Sequence, residues 1–262
     1  MHEYYIGLMS GTSMDAVDAV LVDFADDRCQ LIATHREPMP EAFKQSLALL
    51  SIPSENELNR FGILDQQLGL LFARTVNHLL EKQQLSPNDI TAIGSHGQTA
   101  RHQPSQTIPF TLQIADPNMI AEHTNITTIA DFRRRDVASG GQGAPLTPLF
   151  HAYAFRNAEK NRVILNLGGI ANLTLLPKDQ SKPIVGFDTG PANTLLDNWA
   201  KQHLLLPYDA NGDWSSSGEL IEDLLNACLD DAYFFAEPPK STGPEYFNLN
   251  WLQEKLKSSY KA

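Results

Sequence analysis

Asp188 is one of the residues in this sequence whose type and setting could move a proton. It stands in the run Val185-Gly186-Phe187-Asp188-Thr189-Gly190-Pro191-Ala192-Asn193-Thr194. An apolar strand is expected to end at Phe187, and a helix to open at Pro191 and run toward Lys201. A carboxylate at the carboxyl end of a strand sits where open α/β sheets bind ligands. It can act there as a general base or a metal ligand, while N–H groups of the helix tip favour anions. Simple capping of the helix is the plainer reading of the same residue.

A second group is Gly11-Thr12-Ser13-Met14-Asp15, continued by Ala16, Val17 and Asp18. It lacks the Lys-Ser/Thr ending of a P-loop and no helix follows it, so neither the Walker nor the dinucleotide mechanism applies. A hairpin turn built from Gly, Ser and Thr still offers successive N–H and O–H donors to a phosphate chain. Asp15 and Asp18 would repel bare phosphates, so such a site needs Mg2+ between the charges. An ordinary polar turn accounts for the stretch as well.

Arg133-Arg134-Arg135, flanked by Asp131 and Asp136, offers planar forks for a carboxylate. Read as a strand, the run sends one arginine to the side opposite its neighbours; a solvated edge with local ion pairs is the plainer account. His96, in Ser-His-Gly-Gln-Thr, suits a polar ligand or proton transfer, or a structural role. Asp209-Ala210-Asn211-Gly212-Asp213 imitates a calcium loop, but Trp214 and Leu220 stand where its Gly and bidentate Glu belong. Lys240-Ser241-Thr242-Gly243 has no Gly-rich loop before it and is not a P-loop. No protein-held metal site is expected: Cys29 and Cys228 lie far apart without Cys or His company.

The elements that position these residues follow from periodicity. Tyr4 to Met9 and Asp15 to Phe24 read as strand, turn, strand. Leu58, Phe61, Leu64, Leu68, Leu71, Val76 and Leu79 recur at helical steps inside a long segment from Glu55 to Leu85. Ile90 to Gly94, the alternating Ile108, Phe110, Leu112 and Ile114, and Ile126 to Ala130 read as strands. Asp116-Pro117 supplies an N-cap with Pro at the first helical position. The glycine-rich Ser139 to Pro145 is the candidate hinge, a helix follows from Leu146 to Phe155, and Arg162 to Leu176 forms a second hairpin turning at Gly168-Gly169. Two such hairpins suggest two related α/β halves, divided as 1–136 and 137–262.

The chain has 262 residues and a net charge of −11, from 20 Lys+Arg against 31 Asp+Glu. This balance disfavours nucleic acid and anionic membranes as partners. No window approaches the ~20 apolar residues of a membrane span and no leader is evident, so a cytoplasmic location is expected.

Together the blocks GLMSGTSMDAVDAVLVDF (7–24), GSHGQT (94–99), ADFRRRD (130–136), GGQGAPLTPLFH (140–151), NLGGIANLT (166–174), GFDTGPANTLLD (186–197) and PPKSTG (238–243) resemble the anhydro-N-acetylmuramic acid kinases, in order and over nearly the whole chain. The resemblance implies the two-domain fold of sugar kinases, actin and heat-shock ATPases, with domains closing over a cleft. It implies use of ATP, Mg2+ and water to convert 1,6-anhydro-N-acetylmuramic acid into its 6-phosphate in cell-wall recycling. Carried over, Gly11 to Asp18 is the first phosphate loop and Gly168-Gly169 the second. Asp188 is the base, and His96, Arg133, Arg134, Arg135 and Asn193 are the sugar-binding candidates. The expected partner is a small anhydro-muramic sugar, with a homodimer allowed. Family members continue beyond the equivalent of Ala262, so the second domain and its adenosine pocket are expected to be incomplete, which leaves a non-catalytic sugar-binding remnant or sensor as the alternative. Pro244 replaces an Arg usual after Lys-Ser-Thr-Gly, with loss of any charge contact made there.

Overall fold

The computed structural model describes residues 2–11, 14–25, 28–50, 54–104 and 106–257. The chain divides into two compact units, 1–143 and 144–262. The division falls seven residues after the 136/137 boundary read from the sequence, inside the expected hinge. Two hydrogen bonds account for the shift: Arg133 Nη1 donates to Gly143 O at 2.8 Å, and Gly143 N donates to Asp136 Oδ2 at 2.7 Å. They tie the glycine-rich loop to the first unit.

The first unit holds β1 (Tyr4–Met9), β2 (Ala16–Asp23), β3 (Gln30–Pro38), α1 (Glu41–Ala48), α2 (Glu57–Gln83), β4 (Ile90–Ser95), β5 (Gln98–Gln103), β6 (Phe110–Ile114), α3 (Pro117–Thr124), β7 (Thr128–Ile129) and α4 (Phe132–Ala138). One sheet runs β3-β2-β1-β4-β7, and β5 and β6 form a separate ribbon. β1 pairs antiparallel to β2 and parallel to β4, and β7 is parallel to β4. Strict alternation in β2 puts Val17, Ala19 and Leu21 inward and Asp18 and Val20 outward. The inward face meets Leu64, Leu68, Leu71, Phe72, Val76 and Leu79 of α2 in one apolar core. The helical spacing predicts most of that stripe. Leu58 departs from it, because it lies in the first turn of α2, where it is exposed.

The second unit holds α5 (Thr147–Phe155), β8 (Arg162–Leu167), β9 (Ile170–Leu176), β10 (Val185–Pro191), α6 (Asn193–Leu204), α7 (Glu222–Leu229), α8 (Ala232–Phe235) and α9 (Leu249–Gln253). Its sheet, β10-β9-β8, is antiparallel throughout the described residues. Phe247 is fully buried among Tyr233, Phe234, Tyr246 and Trp251, with ring centroids 4.8–5.8 Å away. Asp231 pins this cluster by accepting from Tyr233 N, Tyr246 Oη and Trp251 Nε1.

Three readings need correction. The arginine run is a helical segment, α4, rather than a strand, so its side chains fan out at about 100° steps instead of alternating. β10 does not end at Phe187 but continues to Pro191, and α6 opens at Asn193. The strand before the arginine run shrinks to Thr128–Ile129.

Gly69 marks the closest approach of α2 to the segment that opens α3. A Cβ there would lie 2.8 Å from Met119 Cβ and 2.9 Å from Asp116 O. Gly69→Ala gains up to about 1 kcal/mol in helix propensity, but overpacking against backbone costs about 1–3 kcal/mol. The variant should therefore be net destabilised, read as a lower urea midpoint with an unchanged slope; an equal or higher midpoint would contradict the packing account.

Candidate functional site

In the second unit the site is built around Asp188, 6 % exposed. A carboxylate so buried needs donors, and they come from the Lys240-Ser241-Thr242 segment. Ser241 Oγ donates to Asp188 Oδ2 at 3.0 Å and Thr242 N donates to the same oxygen at 3.1 Å. The backbone is clamped as well: Asp188 N donates to Lys240 O at 3.1 Å, and Tyr233 Oη donates to Asp188 O at 2.8 Å. Lys240 Nζ in turn donates to Tyr233 O at 2.9 Å and lies 4.8 Å from the Tyr233 ring centre. Burial, and then the nearby Asp188 charge, push the Tyr233 phenol well above its ordinary range, so it stays a donor. Asp188 is thus strapped in mid-strand by residues 240–242 and does not cap α6.

The strand shifts register just past Asp188, between it and Gly190. Gly190 has φ +149°, and a Cβ there would come within 2.7 Å of the Phe234 ring, so both conformation and space demand glycine. Asn172 is the cross-strand partner of Asp188, which puts the two side chains on one face of the sheet. Its buried Oδ1 has no partner among the described residues.

The first N–H groups of α6 are not open to an anion. Asn193 N donates to Gly168 O, and Thr194 N and Ala192 N donate to Gly169 O, each at 3.0 Å. The second hairpin therefore meets the helix tip through its carbonyls. Asn193 itself is exposed, with Nδ2 donating to Leu167 O at 3.1 Å.

In the first unit, Thr12 and Ser13 lie outside the described residues. Around them, Met14 has φ +54° and its N donates to Gly11 O at 3.0 Å. Val17 turns its side chain into the core, and Ala16, on the opposite face of β2, is also buried. Asp15 and Asp18 are exposed, each 3.7 Å from a cation, Lys44 Nζ and Arg36 Nε respectively. Pairs this long and exposed are weak, and the two carboxylates are hard oxygen donors of the kind Mg2+ takes.

His96 and Arg133 are brought together. Arg133 Nε donates to His96 Nε2 at 2.7 Å, so the imidazole proton sits on Nδ1, which donates to Gly97 O at 2.9 Å. Burial first, then the Arg133 charge, hold the His96 pKa below its usual value. Arg134 is exposed and paired with Asp131 at 3.2 Å, and Arg135 is exposed. Of the three arginines, Arg133 alone is joined to His96.

Sequence reasoning missed the polar wall beside this pair. Ser10 Oγ, Ser95 Oγ, Gln98 Oε1, His102 Nε2 and Gln113 Oε1 are buried without partners among the described residues. The pairings Leu8 with Ser95, Thr99 with Gln113 and His102 with Thr111 place them on neighbouring strands. Each buried orphan costs about 1–3 kcal/mol, so their concentration in one region marks a polar ligand site. Gln98–Gln103 has a single apolar residue, Ala100, so its composition gave no strand signal.

The match to known proteins is extensive. A model of the anhydro-N-acetylmuramic acid kinase family covers residues 3–262. The chain belongs to that family. It is 56 % identical over 254 residues to the anhydro-N-acetylmuramic acid kinase of Coxiella burnetii (strain RSA 493 / Nine Mile phase I), which spans 97 % of this chain and 68 % of the relative. It is 55 % identical over 253 residues to that of Shewanella sp. (strain ANA-3), with the same two coverages of 97 % and 68 %. Likeness to an Aquifex aeolicus Ppx/GppA family crystal structure is slight: 10 % identity and TM-score 0.35, over 72 % of this chain and 52 % of that one. No helix among the described residues is long and apolar enough to cross a membrane.

For a member of the anhydro-N-acetylmuramic acid kinase family, a half-buried histidine in the polar wall has a measurable consequence. Burial, then the Arg133 charge, hold His102 down from 6.5 to about 4. The unfolded chain therefore takes up the proton first as pH falls, and stability is lost between pH 6.5 and about 4. The urea midpoint of His102→Gln should fall less over that window than the parent's; parallel curves would contradict the burial account.

Proposed function

We propose that this chain is the ATP-dependent kinase that opens 1,6-anhydro-N-acetylmuramic acid with water and phosphorylates O6, giving N-acetylmuramic acid 6-phosphate in peptidoglycan recycling. The two compact units correspond to the two domains of the sugar-kinase and actin-like fold, and use of ATP suits a cytoplasmic location. The observation that carries the reading is the mid-strand carboxylate of Asp188, buried yet fixed by Ser241 and Thr242.

Asp188 removes a proton from the water that attacks the anomeric carbon, as a carboxylate base does in glycoside hydrolysis. The bond from that carbon to the bridging oxygen breaks, and the oxygen leaves as O6. O6 then attacks the γ-phosphorus, the bond to the β-phosphate oxygen breaks, and ADP departs. Asn172, beside Asp188, offers an amide to orient the water. Arg133, its Nε engaged by His96 and its Nη1 by Gly143 O, is the arginine whose guanidinium suits the sugar's lactyl carboxylate. His96 keeps its Nε2 lone pair committed to Arg133 and acts as a positioning residue. The segment Gly11 to Asp18, which runs into β2 from Ala16, is the proposed first phosphate-binding segment, and Gly168-Gly169 the second. Mg2+ supplies charge neutralisation on the triphosphate, and Asp15 and Asp18 are the carboxylates that fit it.

Incubation with the anhydro sugar, ATP and Mg2+ should yield a sugar 6-phosphate by mass spectrometry. Free muramic sugar would indicate a hydrolase, and bound but unchanged sugar a sensor. Asp188→Asn should keep the parent circular dichroism and lose at least about 10²–10⁴-fold in turnover. Near-full turnover in that variant would remove Asp188 from the role of base.

A further inference from the structure

Away from these residues, two elements of the first unit bring three metal-ligand atoms together. His35 and Glu37 alternate onto one face of β3, and His78 reaches them from α2. His35 Nε2 lies 3.3 Å from Glu37 Oε2, and His78 Nδ1 lies 2.9 Å from the same oxygen. All three ligand atoms fall within 4.8 Å of one another. Ligands bound at about 2.0–2.2 Å around a tetrahedral ion stand roughly 3–3.6 Å apart, so a small inward adjustment suffices. We propose that His35, Glu37 and His78 form a binding site for a divalent transition metal of the zinc type, pinning β3 to α2.

Three features support a built site over a chance cluster. β3 and α2 are both packed on the core of the first unit, so the ligands are carried by firm elements. His35 and Glu37 side chains are only 11 % and 16 % exposed, whereas His78 is 42 % exposed and leaves an entry path. Arg74 Nη2 holds Glu37 Oε1 at 3.2 Å, which orients the carboxylate and turns Oε2 toward both imidazoles. Two imidazoles with one carboxylate suit zinc or cobalt better than magnesium, which prefers oxygen.

Lys82 is the built-in competitor. Its Nζ donates to His35 Nδ1 at 2.9 Å, which places the imidazole proton on Nε2, where it faces Glu37. Coordination through Nε2 moves that proton to Nδ1, and two donors then confront each other. The exposed Lys82 side chain must swing into solvent. Affinity is thus set by a contest between the ion and this ammonium, and removal of Lys82 should strengthen binding.

The test is titration of the whole chain with Co2+ in buffer without nucleotide, following visible d–d absorption and calorimetry, with Zn2+ as competitor. Support is one equivalent of Co2+ with the intense bands of tetrahedral geometry, displaced by Zn2+. Affinity should fall at least about tenfold in His78→Ala and in His35→Ala and rise in Lys82→Met. His78 is partly exposed, so its variant keeps the fold testable. Absence of saturable binding, or binding that survives both histidine substitutions, would overturn the proposal. Because neither sugar turnover nor Asp188 enters the readout, a negative result leaves the kinase reading untouched.

Discussion

A buried carboxylate that must find its hydrogen-bond donors inside the protein is the constraint around which the second unit is organised. Asp188 sits inside β10, where little of it meets bulk water, so the protein itself must supply donors. The segment 240–242 does so with one hydroxyl and one backbone N–H, and it is held in turn by Lys240 on the carbonyls of Tyr233 and Phe234. Those residues are fixed by the aromatic cluster around Phe247 and by Asp231. A chain of contacts therefore runs from Trp251 through Asp231 and Tyr233 to Asp188, and α8 and α9 are its supports. The irregular step between Asp188 and Gly190 fits the same logic, since the strand bends where the Phe234 ring presses on it.

The first unit follows a different principle. Its apolar core lies between α2 and the sheet, and apart from Arg60 Nε on α2 the buried polar atoms without partners among the described residues lie on or next to β4, β5 and β6. The core fixes the strands; the unsatisfied atoms mark the place where the strands face something other than themselves. Arg133 and His96 belong to that region: the arginine's donation to the imidazole sets the tautomer, and burial first, then the Arg133 charge, disfavour the imidazolium.

The β1–β2 and β8–β9 hairpins, the length of α2 and the Asp116-Pro117 cap were legible in the sequence because alternation, helical spacing and turn chemistry are local. The arginine run was misread since three polar residues in succession have no period, and only the packing of α4 decides between strand and helix. β5 was missed because Gln98–Gln103 has little apolar content and is defined by its partner β6. The strap on Asp188 could not be read at all. Ser241 lies 53 positions away, and no spacing rule reaches across that distance. Its own neighbourhood, 238–243, carries a P-loop comparison that fails for want of local glycines and a family resemblance, and neither points to a distant carboxylate.

The junction between the second hairpin and α6 fixes more than a helix end. A trans peptide holds its carbonyl and its N–H on opposite sides of one plane. With the carbonyls of Gly168 and Gly169 occupied by the helix, those two planes cannot rotate without breaking all three contacts. The N–H groups on their far edges, belonging to Gly169 and Ile170, are consequently turned away from α6 in a set direction. Glycine usually lends a turn looseness; here the helix converts it into a rigid pointer.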